Sequence, residues 1–332
     1  LVLYARRNRK TLVPRGAGTN LAGCVVPQGS VVVDFSKMNK ILFVTKDYVI
    51  VEPGVILDDL NEALGNKFFP IVPEDSSICT IGGMCGINST GIYQRKYGRM
   101  KDWVMEVEMV DGNGKLGRYE NEVVGTEGIL GLFTKIKLCI IDKIPEHSVD
   151  VLKFPQIEDA LTAVASIKQH EHCLSVECIF PHVALLLGLG NNTHVIAEYD
   201  SFDGKIHDAA EIKRILDIRK NVYPTVARNG FTLIEDFSLS LESMAEFVFW
   251  LEKNNIPSYG PLGAGMLYAC LSNRDVMQEL TDLLQQLNGT FGRNSGIGLL
   301  KKNALSEVAR SELKALKKKF DPDNMMNPGK VI

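Results

Sequence analysis

Three glycine-rich segments crowd the first 131 residues: RGAGTNLAG at 15–23, TIGGMCGINSTG at 80–91 and GTEGILG at 125–131. Glycine lets a backbone pass close to a ligand and turn its N–H groups toward anionic oxygens. One such segment would read as a set of tight turns, but three suit a long cofactor with a diphosphate at its centre. Two common nucleotide motifs are excluded. A dinucleotide GxGxxG opens a helix directly after a strand, with an acidic residue about 20 positions on. Here 15–23 runs on through 24–30 into another strand pattern, and no GK[ST] follows any of the loops.

β-Branched runs at 31–35, 48–52, 104–110 and 132–141 predict strands, and 58–64 the one clear helix of this part. Residues 1–8 read as the end of an amphipathic helix already under way, so an earlier segment is expected and a targeting peptide stays open. After Pro145 the texture changes. Ile157, Ala160, Leu161, Val164 and Ile167 share one helical face within 155–169. Further helices are predicted at 209–220, 241–254, 275–287 and 305–320, with apolar strands at 174–180, 194–199 and 266–271. This alternation predicts a second α+β domain on an antiparallel sheet. No internal repeat is visible.

The bulk numbers narrow the partners. A net charge of −3 offers no basic excess for nucleic acid. No apolar run approaches the roughly 20 residues that cross a bilayer. Seven scattered cysteines without a CxxC pair fit reduced thiols, and with them a cytoplasmic protein, peripheral to a membrane only through a partner.

Five ordered motifs carry a resemblance: PRGAGTNLAG (14–23), CTIGGMCGINSTG (79–91), KYGRMKDWV (96–104), VGTEGILG (124–131) and FDPDNMMNPGK (320–330). They resemble the FAD-linked oxidases of the vanillyl-alcohol-oxidase/PCMH type, in the branch of D-lactate dehydrogenase and the glycolate oxidase flavin subunit. The resemblance implies an α+β fold: a PCMH-type FAD domain of two α+β subdomains over 1–143, a ferredoxin-like cap over 144–304, and a segment 305–332 returning to the FAD domain. It implies that Pro14, Arg15, Gly16, Ala17, Gly18, Thr19 and Asn20 wrap the pyrophosphate. Pro73, Asp75, Ser76, Cys79 and Thr80, with Gly82, Gly83, Met84, Cys85, Gly86, Ile87 and Asn88, would line the ADP and isoalloxazine portions. Gly125, Thr126, Glu127, Gly128 and Gly131 would close over the adenine side. Asn327 either returns to the flavin or caps a helix. Thr19 stands where covalent members carry a flavin-linking His, which implies non-covalent FAD.

The chain also departs from this branch. Only residues 113–124 separate the Asp111-Gly112 turn from Gly125, a shortening that could expose an edge to a partner. Pro261 and Tyr268 stand where metal-binding histidines are expected, and Asn294 and Ser295 where Glu-His is expected. Proline has no donor group, so no metal is expected there, and the cluster of His170, His172, Cys173 and Glu177 reads as a helix end. Arg219 is the candidate for a substrate carboxylate, its fork matching two oxygens, against a solvent-facing helical arginine. Tyr268 is either a phenolic acid/base or a space filler. The resemblance therefore implies an FAD-dependent oxidoreductase acting on a 2-hydroxy acid without the usual metal. Its electrons would pass to an iron–sulfur protein, a flavoprotein or a quinone. The alternative is a catalytically degenerate FAD-holding subunit or relay, alone or in a homo- or hetero-oligomer. An alkylglycerone-phosphate synthase-like transferase is set aside, because that branch carries a run of histidines and here no two are adjacent.

Overall fold

The computed structural model describes residues 1–144, 147–292, 296–302 and 305–332. The chain forms two compact units. The first gathers Leu1–Gly91, Tyr97–Lys143 and Arg293–Ile332, and the second Ile92–Lys96 and Ile144–Gly292.

The first unit opens with helix α1 (Val2–Arg7), then β1 (Leu12–Arg15) and β2 (Val31–Asp34), which pair in parallel. β3 (Ile41–Val44), β4 (Tyr48–Val51), β6 (Val104–Asp111), β7 (Leu116–Tyr119) and β8 (Gly131–Cys139) make a five-stranded antiparallel sheet ordered β3-β4-β8-β6-β7. β5 (Lys67–Phe68) pairs with β9 (Ile141–Asp142). α2 (Leu57–Ala63) and α3 (Ile81–Ile87) bury Leu57, Leu60, Ile81, Met84 and Cys85 in the same core as Val107, Ile136 and Leu138 of the sheet. α10 (Glu307–Phe320) adds Phe320 to that core.

One stretch corrects the sequence reading. Residues 80–91 read as a loop, yet Ile81–Ile87 is helical. Glycine is a poor helix former, which hid it. The backbone is held instead by the Thr80 side chain, which caps Gly83 N, and by Asn88, which ends the helix in the left-handed region at φ 53°.

The second unit is a seven-stranded antiparallel sheet ordered β10-β12-β11-β14-β15-β13-β16. Its elements are β10 (Ser148–Phe154), α5 (Ile157–Ile167), β11 (Cys173–Ile179), α6 (Pro181–Leu186), β12 (Thr193–Tyr199), α7 (Ala209–Arg228), β13 (Leu233–Ser238), α8 (Leu241–Lys253), β14 (Ser258–Gly260), β15 (Met266–Leu271), α9 (Met277–Gln286) and β16 (Thr290–Phe291). Strand–helix–strand–strand occurs twice, as β10-α5-β11-β12 and β13-α8-β14-β15, and the two halves join through β11 and β14. The repeat invisible in the sequence is thus present in the topology. One sheet face packs with α5, α8 and α9, the other with α6 and α7. α7 runs past the predicted end at 220 to Arg228, carrying Pro224 in its last turns. The short α4 (Gln94–Tyr97) straddles the division of the chain.

A buried ion network lies on the α7 face. Arg219 of α7 is paired with Glu177 of β11 and, at 2.6 Å, with Glu198 of β12. Glu198 also accepts from Ser175 Oγ at 2.7 Å and from Tyr93 Oη at 3.2 Å, and meets His147 Nε2 at 3.0 Å. Arg95 donates to Cys173 O at 2.9 Å and Lys96 pairs with Asp200, so residues 92–96 are bound to this sheet. Burial would push Glu198 up, but Arg219, His147 and Ser175 outweigh it and hold its carboxyl at about 2, below the ordinary 4.5. For Glu177 burial wins over Arg219 and the carboxyl is raised.

Glu198 therefore contributes stability that is complete above its ordinary value of 4.5 and is lost as pH falls toward about 2. Glu177, whose carboxyl is raised, contributes the opposite slope at pH above 4.5 and leaves the lower window to Glu198. We expect the thermal midpoint of the wild-type protein to fall with acidification across this window. Glu198→Gln should flatten that fall, and an equally steep fall in the variant would disprove the assignment.

Candidate functional site

The three glycine segments converge within the first unit. An ideal Cβ on Gly16 would lie 2.2 Å from Thr80 Oγ1, so the first segment passes directly over the cap of α3. The third segment is tied to the end of the same helix: Gly125 N donates to Cys85 O at 2.9 Å and Glu127 N to Gly86 O at 2.8 Å. Gly128, at φ +73°, fits against Pro14, where a Cβ would meet Cγ at 2.2 Å. Three segments from distant parts of the sequence are thus brought together.

Glu127 fastens this arrangement to a fourth segment. Its carboxylate accepts from Ile297 N at 2.6 Å, Gly298 N at 2.8 Å and the Cys24 thiol. Burial raises its pKa, and these three donors only partly offset the shift. Burial, reinforced by Glu127, pushes the Cys24 thiol far above its usual range, so it stays a neutral donor. Asn327 adds a fifth segment: its Nδ2 donates to Cys24 O at 3.1 Å and to Glu127 O at 2.7 Å. It is not a helix C-cap, because α10 ends at Phe320 and is capped by Asp321. Asp321 in turn accepts from Met325 N and Met326 N, and with Ile129 O and Met326 O it takes the Lys317 ammonium. The FDPDNMMNP motif is a clasp that returns residue 327 to the loops.

The structure sorts the predicted residues by what they present. Arg15, Ala17 and Gly83 are exposed, and Pro14, Gly16, Gly18, Thr19, Asn20, Gly86, Ile87, Asn88, Gly125 and Gly128 are partly so. Gly86 meets no atom within 4 Å of an added Cβ. Cys79, Met84 and Cys85 place their side chains in the hydrophobic core, so only their backbone can face a ligand. Ser76 is buried, and Thr126 is buried and donates to Val123 O. Pro73 O accepts from Ser76 N and Asp75 O from Cys79 N, making 73–79 a compact turn. Gly131 is a packing residue, its Cβ position 2.4 Å from Val110 O. Gly82 is another, at 2.6 Å from Pro53 Cβ and 2.8 Å from Pro53 O.

Of the two candidate catalytic residues, Arg219 needs correction. Arg219 is 4% exposed and its fork is taken by Glu177 and Glu198, so it is neither solvent-facing nor free for a substrate carboxylate. Tyr268 lies opposite Tyr259 and Asp236 in the sheet, its ring centroid 5.2 Å from that of Tyr259, within the layer packed by α6 and α7. Its side chain is half-buried there. Pro261 precedes a 3-10 turn at Leu262–Ala264, while Asn294 and Ser295 lie outside the described residues. In the histidine cluster, His172 faces Asp200 and His170 faces Asp203, whereas Glu177 is committed to Arg219. Cys24, Ile297, Gly298 and Lys330 were missed by sequence reasoning. Lys330 closes the motif at 320–330, and Gly298 stood outside the three glycine clusters.

Comparison with known proteins identifies the frame. Residues 1–119 match the FAD binding domain family, and residues 270–331 match the C-terminal domain of FAD linked oxidases. The chain belongs to the FAD-linked oxidase family. Its relatives include the glycolate oxidase subunit GlcD of Bacillus subtilis, 28% identical over all of this chain and 86% of that protein. The mitochondrial D-lactate dehydrogenase [cytochrome] of Arabidopsis thaliana is 26% identical over 97% of the chain and 69% of its own length. The D-2-hydroxyglutarate dehydrogenase of Stutzerimonas stutzeri is 24% identical over 100% and 88%. Among solved structures, alkyldihydroxyacetonephosphate synthase superposes over 99% of this chain and 73% of its own, with TM-score 0.69 at 17% identity. That likeness establishes a shared fold.

The cofactor of this FAD-linked oxidase is FAD, and the residues present fit it. The partly exposed glycine backbones can approach a diphosphate, Gly86 leaves room at α3, and Asn327 Oδ1 is buried without a hydrogen-bond partner among the described residues. Gly82 and Gly86 should separate packing from cofactor contact. Gly82→Val should destabilise the cofactor-free protein by about 3 kcal/mol or more, because Pro53 backbone cannot yield. Gly86→Leu should leave that stability unchanged or higher, since leucine favours a helix, yet lose FAD affinity. Urea unfolding and flavin fluorescence titration measure the two effects. A Gly86→Leu protein with unaltered FAD affinity would place the cofactor elsewhere.

Proposed function

We propose that the chain is an FAD-dependent dehydrogenase of a 2-hydroxy acid. The observation that carries this reading is the match of the whole chain to relatives named for glycolate, D-lactate and D-2-hydroxyglutarate. Bound FAD supplies the hydride acceptor at N5, while the protein supplies binding and orientation. The segment 15–20 holds the diphosphate with its N–H groups, and the backbone at 83–88 and 125–128 positions the rest of the cofactor without a covalent link. With Pro261 and Tyr268 at the expected ligand positions, substrate oxidation proceeds without a divalent metal beside the hydroxyl. Electrons leave to a protein or quinone acceptor, and the protein works in the cytoplasm. No helix among the described residues is long and apolar enough to cross a membrane.

A second reading, a degenerate FAD-holding subunit or relay, is favoured by one observation. Arg219 and Tyr268 are both engaged in packing the second unit, which leaves the chain without its nominated catalytic side chains. Anaerobic titration separates the two. Under the first reading a panel of glycolate, D-lactate and D-2-hydroxyglutarate bleaches the flavin absorbance, and EDTA leaves the rate unchanged. Bleaching by dithionite but by no hydroxy acid would establish the relay reading. Acid precipitation should release all FAD into the supernatant, and yellow colour retained by the pellet would contradict the non-covalent assignment.

A further inference from the structure

The chain treats two buried lysines differently. Lys317 is 9% exposed, and its ammonium is satisfied by Ile129 O at 2.8 Å, Met326 O at 2.5 Å and Asp321 Oδ2 at 2.7 Å. Lys330 is 1% exposed, and its Nζ has no hydrogen-bond partner among the described residues. Its segment is nonetheless firmly placed. Asn327 N donates to Leu12 O at 2.7 Å, Val331 N to Gly298 O at 2.8 Å, and Ile332 N to Lys330 O at 2.7 Å. Val331 is held at φ +66°, a conformation that a β-branched residue adopts only when its surroundings impose it.

The ionisable groups acting on Lys330 besides burial are the Cys24 thiol and the Lys302 ammonium. The thiol is neutral, and the second ammonium repels. Neither is a counter-ion, and an unpaired buried charge is costly. Three residues earlier, the orphaned Asn327 Oδ1 is a buried acceptor. The two groups ask for a ligand that offers both negative oxygen and a donor group. FAD has both, with oxyanions at its diphosphate and negative charge at the flavin pyrimidine edge on reduction.

We infer that Lys330 is a buried cation of the FAD site, its Nζ held to pair with a negatively charged oxygen of the cofactor. The inference rests on the reading that FAD binds against the glycine segments. Lys330 thereby joins Asn327 as a cofactor-positioning residue, and the segment 327–332 contributes charge as well as closure.

Lys330→Met tests it, with Lys330→Gln in its place should the first variant not fold. The thermal midpoint of the cofactor-free variant should equal or exceed that of wild type, because an unpaired charge has been removed. If the partner is the diphosphate, affinity for FAD and for ADP falls by about tenfold or more, as for loss of a charge-assisted hydrogen bond. If it is the pyrimidine edge, ADP affinity is retained and the flavin midpoint potential becomes more negative, the reduced anion having lost its counter-charge. Unchanged FAD affinity, ADP affinity and midpoint potential in a folded variant overturn the inference. A wild-type protein that takes up no FAD fails at an earlier step and sinks the cofactor reading instead.

Discussion

The Glu127 carboxylate lies at the meeting point of the first unit. Through its oxygens it holds Ile297, Gly298 and Cys24, and through its own backbone it holds Gly86 and Asn327. The residue sits in the left-handed region at φ +51°, where a non-glycine residue is uncommon. Its buried carboxylate is tolerable only because three donors converge on it. Removing Glu127 would leave two backbone N–H groups buried without acceptors, a larger loss than that of one contact.

The sequence made most of this legible, and its omissions have physical causes. The strands at β2, β4, β6 and β8 and the helices α5, α8, α9 and α10 follow from period and β-branching, to within a few residues. β10 and β13 were missed because their charged and apolar residues do not alternate cleanly. α3 was missed because three of its seven residues are glycine. Its helicity rests on the Thr80 cap, a local contact, and on tight approach to Pro53, a tertiary contact that local propensity does not carry.

The site shows the same division. Glycine clusters announce a backbone surface without saying which glycines face a ligand and which only permit packing. Gly82, Gly128 and Gly131 proved to be fitted against protein, while Gly86 opens outward. The charged residues were harder still. Arg219 on a helix with Lys and Asp neighbours looked like a surface or substrate arginine. Its commitment to Glu177 and Glu198 depends on strand register in β11 and β12. Lys330 gave no periodic signal, since its significance lies in what it fails to touch.

The order of segments along the chain has a consequence for biosynthesis. The second unit is drawn almost wholly from one continuous stretch, 144–292, whereas the first is assembled from three pieces, the last beginning at 293. Domains tend to fold as units while the chain emerges from the ribosome. The unit that carries Arg219 on α7 is complete in sequence at 292. The cofactor unit must wait, holding the Glu127 carboxylate and the Leu12 carbonyl without their partners until 297, 298 and 327 have been synthesised.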